Sequence, residues 1–460
     1  MAFQGQRLNP SEQPWDTTNY THASDPNLQE LHRAMDYSAS GEPLVRVNNV
    51  SGVSYNDAGN ISASIDAFGR MRVSNPYTLF DGGTRYFDNT YKWDQVDTGS
   101  ATSTFLPNES SILMNATGAG SAIRQSKQVF SYQPGKSLLT MLTFVMNTPT
   151  AGVTQRAGYF GAQNGVYFEI DGTDINLVIR KYTSGSVDST TEKIPRASWN
   201  GDRLDGQGGQ SNISGVTLDV TKSQIFWSDI EWLGVGSVRA GFVIDGKFIH
   251  CHTWNHANIL DNTYMTTACL PIRCEIQNTA NTTNTSNLRI ICTSVMSEGG
   301  YEMRGRPKTI GQLPNTSYTL TNAGQFYPVV AIRLKSERKD AIVVPKNISV
   351  LGLTGNGTRL AYRVITGAQI TGGTWVNAGS DSAIQYNITG TALANGTSHI
   401  NGYTYVAQQG GSPGELSDGQ FQFQLERNNF TGTNTTFVLA VAGYGAGDTC
   451  VGSIDWQEIT

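Results

Sequence analysis

Charge is what this sequence is shortest of. Only 15% of its residues are Asp, Glu, Lys or Arg, against roughly 25% in an ordinary soluble domain. The net charge is -5, and the densest basic run, KSERKD at 335–340, is interrupted by its own acids and reads as a solvated turn. A polyanion has no cluster of Lys and Arg to hold, which argues against nucleic acid as a partner. Long apolar runs are missing too. No stretch of 18 apolar residues is present to cross a membrane as a helix. The first residues lack the basic start and apolar run of a signal peptide, so the chain is not expected to enter a secretory route on its own sequence. Cysteine is scarce at five, an odd number, with four falling between Cys251 and Cys292 in no repeating framework. They read as reduced, buried small hydrophobes. The Asn-x-Ser/Thr triplets at Asn281, Asn356 and Asn395 then reflect an abundance of Asn and Thr. Also absent are a repeat of fixed period, a Ser-His-Asp grouping with a nucleophile elbow, and a glycine-rich turn opening a phosphate-binding helix.

What fills the gap is glycine, 50 residues of it, with Asn, Thr and Ser. Gly, Asn and Ser supply turns and Thr suits strands, so the composition predicts an all-β fold. At 460 residues the chain has room for two or three domains. Residues 1–76 predict an N-terminal docking arm and short β linker. Within it Asp25 and Pro26 can start a short helix, and NLQELHRAMDY sets Leu28, Leu31 and Met35 on one face. That face needs a partner and is the candidate assembly contact. Residues 77–310 predict a large lectin-like or jelly-roll β-sandwich. LLTMLTFVM (138–146) reads as a buried strand, and Asn164-Gly165, Asp171-Gly172 and Asp245-Gly246 read as hairpin turns between alternating apolar runs. Residues 311–460 carry about eight short strand runs and predict a smaller C-terminal β-sandwich.

Three stretches have the residue types for chemistry. HCHTWNH (250–256) holds three of the six histidines, and His250, Cys251, His252 and His256 are of the types that bind zinc. On a regular strand His250 and His252 would share one face and Cys251 the other. A second close ligand pair is lacking, since Cys269 and Cys274 are isolated, so the favoured reading is packing and no metal. FWSDIEW places Asp229 and Glu231 two apart on one strand face, roughly 7 Å between backbones. That is a spacing at which paired carboxylates cleave glycosides, and Trp227 and Trp232 could flank a sugar. A third acid is expected two positions before Asp229, and Trp227 stands there; the favoured reading is solvent-facing acids on a half-buried strand. WNGDRLDGQGG (199–209) offers Asp202 and Asp205 to calcium but lacks the spacing and closing Glu of a calcium loop, so Asp-stabilised turns are favoured. No cofactor is expected. Nineteen Tyr and eight Trp leave sugar-stacking surfaces open as an alternative to core and interface packing.

The ordered segments IDAFGRMRVSNPYTLFD, WNGDRLDGQGGQSNISGVTLD, WLGVGSVRAGFVIDGKFIHCHTWNHAN and LPIRCEIQN resemble a family of tailed-bacteriophage virion structural proteins, described as tail, neck, baseplate or fibre components. The resemblance covers about residues 41–310, and TWVNAGSDSAIQYN is similar to part of the C-terminal sandwich of such proteins. It implies a non-enzymatic subunit of the virion, assembled in the host cytoplasm. Its implied partners are identical subunits, in a trimer, and other virion proteins. A host-surface carbohydrate-binding adhesin or tailspike is the alternative, with polysaccharide cleavage behind it.

Overall fold

A computed structural model of the chain describes residues 36–37, 43–44 and 75–459, apart from 280–284, 303, 314, 339, 355–356, 406–423, 427–429 and 431–432. The chain forms two compact units, residues 1–74 and 75–460. In the first, β1 (Asp36–Tyr37) pairs antiparallel with β2 (Pro43–Leu44). Asp36 and Tyr37, the last two residues of the helix expected over NLQELHRAMDY, are strand, their backbone taken by a neighbouring strand, and the rest of that segment lies outside the described residues. Leu28, Leu31 and Met35 lie outside the described residues.

The second unit begins with β3 (Pro76–Asp81), β4 (Trp93–Leu106), β5 (Ser111–Ser126), β6 (Phe130–Ser131) and β7 (Ser137–Met146). Then come β8 (Val153–Phe160), β9 (Gly165–Asp171), β10 (Asp174–Lys181) and β11 (Asp188–Pro195). β12 (Gln224–Ile230), β13 (Val238–Ile244), β14 (Lys247–Trp254), β15 (Cys269–Leu270), β16 (Ile272–Asn278) and β17 (Thr285–Glu298) complete the series. Thirteen of these form one sheet, in the order β11-β10-β9-β8-β16-β5-β17-β7-β12-β13-β14, with β3 on β17 and β4 on β5. β6 and β15 pair with each other outside it. The three hairpins foreseen from their turn residues are present. At the β13–β14 turn both Asp245 (φ 51) and Gly246 (φ 74) are left-handed, the geometry that matches the twist of two-residue hairpins.

The sheet curls over itself into a lectin-like sandwich. Phe168 of β9 meets Phe144 of β7, Phe226 of β12 and Phe242 of β13 with ring centroids 5.9, 6.0 and 5.3 Å apart, although β9 stands far from those strands in the sheet order. The strand expected to be buried outright is buried by halves. In β7 Leu138, Leu142, Phe144 and Met146 enter the core, while Leu139, Met141, Thr143 and Val145 are half-exposed on the outer face. Each inward side chain contributes about 1.5–3 kcal/mol by leaving water, which locks the register, since a slip of one residue would exchange the faces. The two ends of the curled sheet meet near β11 and β14, where His256 Nε2 reaches Glu192 of β11 at 3.1 Å.

Residues 306–459 form a second sandwich. Its six-stranded sheet brings Ile332, Leu360, Val364, Leu439 and Val441 against Ile348, Val350, Ile454 and Trp456 of a four-stranded one. The class is all-β; among the described residues the one helical element is the short turn Arg196–Ser198, and no helix is long and apolar enough to cross a membrane. The two sandwiches touch: Gln424 exchanges hydrogen bonds with the Val129 backbone (Nε2 to O 2.9 Å), and the Cys269 thiol lies 3.1 Å from the Asp340 carbonyl.

Candidate functional site

Alternation along β12 sends Phe226 and Ile230 into the core and Trp227 and Asp229 to the outer face. Asp229 sits opposite Leu139 of β7 and Arg239 of β13. Ser137 donates to one of its carboxylate oxygens and the Arg239 guanidinium to the other, with Asp229 only 6% exposed. β12 ends at Ile230, so Glu231 belongs to the loop that leads to β13, where its amide bonds the Ser237 carbonyl at 3.0 Å. Both carboxylates nevertheless line one cavity of about 330 Å³, shared with Tyr132, Lys136, Ser137, Leu233 and Arg239. Asp229 is its tied floor and Glu231 its exposed rim.

The wall carrying Tyr132 is held from below. The buried Tyr159 hydroxyl lies 2.5 Å from the Phe130 carbonyl and 2.6 Å from that of Ala268, and accepts from the Leu270 amide at 3.1 Å. Burial pushes this phenol well above its ordinary pKa. The β6–β15 pairing and the Tyr132 amide on Ala268 (3.1 Å) finish the anchor.

The two tryptophans read as able to flank a sugar sit in different surroundings. Trp227 is 5% exposed, covered by Phe248 at 5.6 Å, which is the side chain that meets solvent. Trp232 packs edge-to-face on Tyr132 at 6.4 Å. With both oxygens of Asp229 engaged and Glu231 in solvent, the pair differs from two facing carboxylates of which one is free to attack or donate. What the cavity offers is a set of fixed donors and acceptors.

The histidines separate for a reason the strand pattern hides. A bulge in β14 pairs His250 with Gly241 but His252 with Ala240, leaving Cys251 as the extra residue. A bulge exchanges faces beyond it, so His250 and His252 do not share a face, contrary to the expectation for a regular strand. His250 lies on the outer side near Trp227, its Nε2 2.6 Å from Thr253 Oγ1. His252 turns inward against Trp254, and its Nδ1 accepts from the Asn200 amide at 3.2 Å; burial, then His250, hold it down to about 4. His256 stacks on Tyr264 at 4.1 Å. Gly241 has no room for a side chain, because a Cβ there would fall 2.0 Å from the Ile249 carbonyl. Among the described residues no group of three His, Cys, Asp or Glu could hold a metal ion.

WNGDRLDGQGG wraps the bulge: the Gly201 and Asp202 amides bond the carbonyls of Cys251 (2.8 Å) and His250 (2.9 Å), covering an edge strand. The Asp202 carboxylate accepts from Leu204, Asn212 and Ser214 at 2.9, 2.8 and 2.7 Å. Burial opposes its charge, but these bonds prevail and hold it below its ordinary pKa. Asp205 accepts from the Gln207 amide at 3.0 Å. Both act as turn acceptors.

Tyr132, Lys136, Ser137 and Arg239 were not foreseen. The Pro134-Gly135 turn and the position of Arg239 on the strand after Asp229 were the available signals.

No protein-family model matches the chain, and no curated protein matches it. Among solved structures it is similar to a protein of unknown function from Shewanella oneidensis MR-1, at 12% identity over 50% of this chain and 88% of that one, TM-score 0.30. It is also similar to a glycosyl hydrolase family 16 protein from Mycobacterium smegmatis str. MC2 155, at 11% identity over 48% and 100%, TM-score 0.32. A third is the CBM2 module of the evolved Dit of Lactobacillus casei BL23 phage J-1, at 4% identity over 50% and 100%, TM-score 0.33. These values establish no family.

Proposed function

We propose that this protein is a non-enzymatic carbohydrate-binding subunit, an adhesin of a tailed-phage particle that holds host-surface glycan in the cavity over β7, β12 and β13. The observation that carries the reading is the floor of that cavity: Asp229 is oriented by Ser137 and Arg239 and ringed by the polar groups of Lys136 and Glu231. Oriented donors and acceptors are what a sugar's hydroxyls require, and a carboxylate with both oxygens engaged is poorly placed to attack or to give up a proton. The particle setting rests on the segment resemblance, as do an N-terminal arm that docks the subunit and a trimeric state, which light scattering of the full-length protein reads.

The test is a glycan panel with the full chain, followed by calorimetry on the best sugar and an end-group assay for new reducing ends. Binding without cleavage, weakened about tenfold or more in Arg239→Ala with folding retained, is the expected result. Absence of binding to every glycan overturns the binding reading. New reducing ends that disappear in Asp229→Asn overturn the non-enzymatic one.

A further inference from the structure

A second cavity of about 370 Å³ lies beside the first, lined by Ser131, Tyr132, Trp232 and Cys269 of the large sandwich and by Arg338 and Asp340 of the small one. The two share Tyr132. Around it the chain alternates, with Glu231 and Leu233 lining the first cavity and Trp232 the second. The divide between them is thus the edge-to-face pair of Tyr132 and Trp232. Tyr132 is 6% exposed, and the one group beside its buried hydroxyl is the Gly135 backbone. Trp232 Nε1 is also buried and unpaired.

Charge indicates the ligand class. The first cavity sets Lys136 and Arg239 against Asp229 and Glu231, and the second sets Arg338 against Asp340. Each is balanced, so neither attracts a net anion or cation over distance, while both present donors and acceptors together. Each volume is at the small end of the range for ligand pockets, roughly 300–1,000 Å³. We infer that the two cavities are adjoining subsites of one groove, built by both sandwiches, for a neutral oligosaccharide that crosses the Tyr132–Trp232 divide. This rests on the carbohydrate-binding reading above and adds length and neutrality to it.

Calorimetry with neutral oligosaccharides of increasing length, built from the best sugar of the panel, tests it. Affinity should rise about tenfold or more from one residue to three or four, and should hold between about 50 and about 500 mM NaCl, where screening would weaken binding of a charged glycan. Ala341 also lines the second cavity, and Ala341→Trp, which fills it, should remove the gain with length and leave monosaccharide affinity unchanged. If Ala341→Trp does not fold, Arg338→Ala reads the same gain, which should fall. Monosaccharide binding with a flat length series, a strong salt dependence, or a gain that survives both variants overturns the groove but leaves the first subsite standing. No binding to any sugar overturns both.

Discussion

The curled sheet has two outer faces, and both place ionic rows across neighbouring strands. On β8, β9, β11 and β16 the row is closed. Arg156 joins Glu169 at 2.7 Å and Glu275 at 3.1 Å, Lys193 joins Glu169 at 2.8 Å and Asp171 at 2.6 Å, and Arg273 holds Glu275. The Arg180 guanidinium lies 5.2 Å from the Phe160 ring and 5.0 Å from the Tyr167 ring, over a small cluster that Val178 completes. On β7, β12 and β13 the row is short: Asp229 has Arg239 and Ser137, Arg239 is more than half exposed, and Glu231 faces solvent over a cavity. The same residue types, on the same kind of strand, serve structure where their charges pair with one another and leave a candidate site where some do not. An acidic or basic residue on a strand is therefore not informative until its cross-strand partners are known.

Arg156→Ala breaks the closed face most severely. It would take one of two cations from each of Glu169 and Glu275, whose side chains are 4% and 10% exposed, leaving Lys193 and Arg273, and the loss of two charge-assisted hydrogen bonds costs about 3–5 kcal/mol. Arg239→Ala, with a guanidinium already in water and Ser137 still on Asp229, should cost about 1 kcal/mol. Urea unfolding of both variants measures the difference; equal costs would end the distinction between the faces.

Acid gives the next largest separation. Burial raises the pKa of Glu275, but Arg273 and Arg156 outweigh it and hold the carboxyl below its ordinary 4.5. A depressed folded value means that the unfolded chain takes up the proton first on acidification. The contribution is complete above about pH 4.5 and is lost as the pH falls through the lower folded value. Stability measured from about pH 6 to pH 2 should fall with protein that keeps Arg156, and less steeply in Arg156→Ala. Parallel curves would show that the row does not carry its acid sensitivity.

Much of this was legible before any coordinate. Dipeptides such as Asp171-Gly172 and Asp245-Gly246 mark turns because their backbone demands are local, and alternation marks strands for the same reason. Non-local facts stayed hidden. That thirteen strands make one curled sheet depends on which strands meet. The bulge at Cys251 depends on the register of β13 against β14, and it alone separates His250 from His252. Asp229 and Glu231 were visible as a pair, yet their roles were decided by Ser137, Arg239 and Tyr132, which approach from elsewhere in the chain.

His256→Gln probes the clasp that brings the two faces' edges together. Its Nδ1 lies 2.8 Å from the Gly236 carbonyl and its Nε2 3.1 Å from Glu192, so each ring nitrogen faces an acceptor. The Glu192 carboxyl is raised by burial but held below its ordinary pKa by His256 and Lys181. Glutamine can satisfy only one of the two, and the variant should lose about 1–2 kcal/mol, with faster amide exchange in β11 and β14 than in β7. Uniform exchange would mean that the sheet closes without the clasp.

Glu231→Gln should give the smallest change in stability and is the sharpest comparison of all. Its side chain is exposed and takes part in no ion pair among the described residues, so unfolding should move by no more than about 0.5 kcal/mol. Sugar affinity should nevertheless fall severalfold, because an ionised acceptor binds a hydroxyl roughly twice as strongly as a neutral one. That split, with binding lost and folding kept, is the reverse of the outcome for Arg156, where folding is lost through charges that no ligand reaches. A Glu231→Gln protein that loses more than about 1 kcal/mol would place this acid among the structural ones, and the two faces would then differ only in how deeply they are buried.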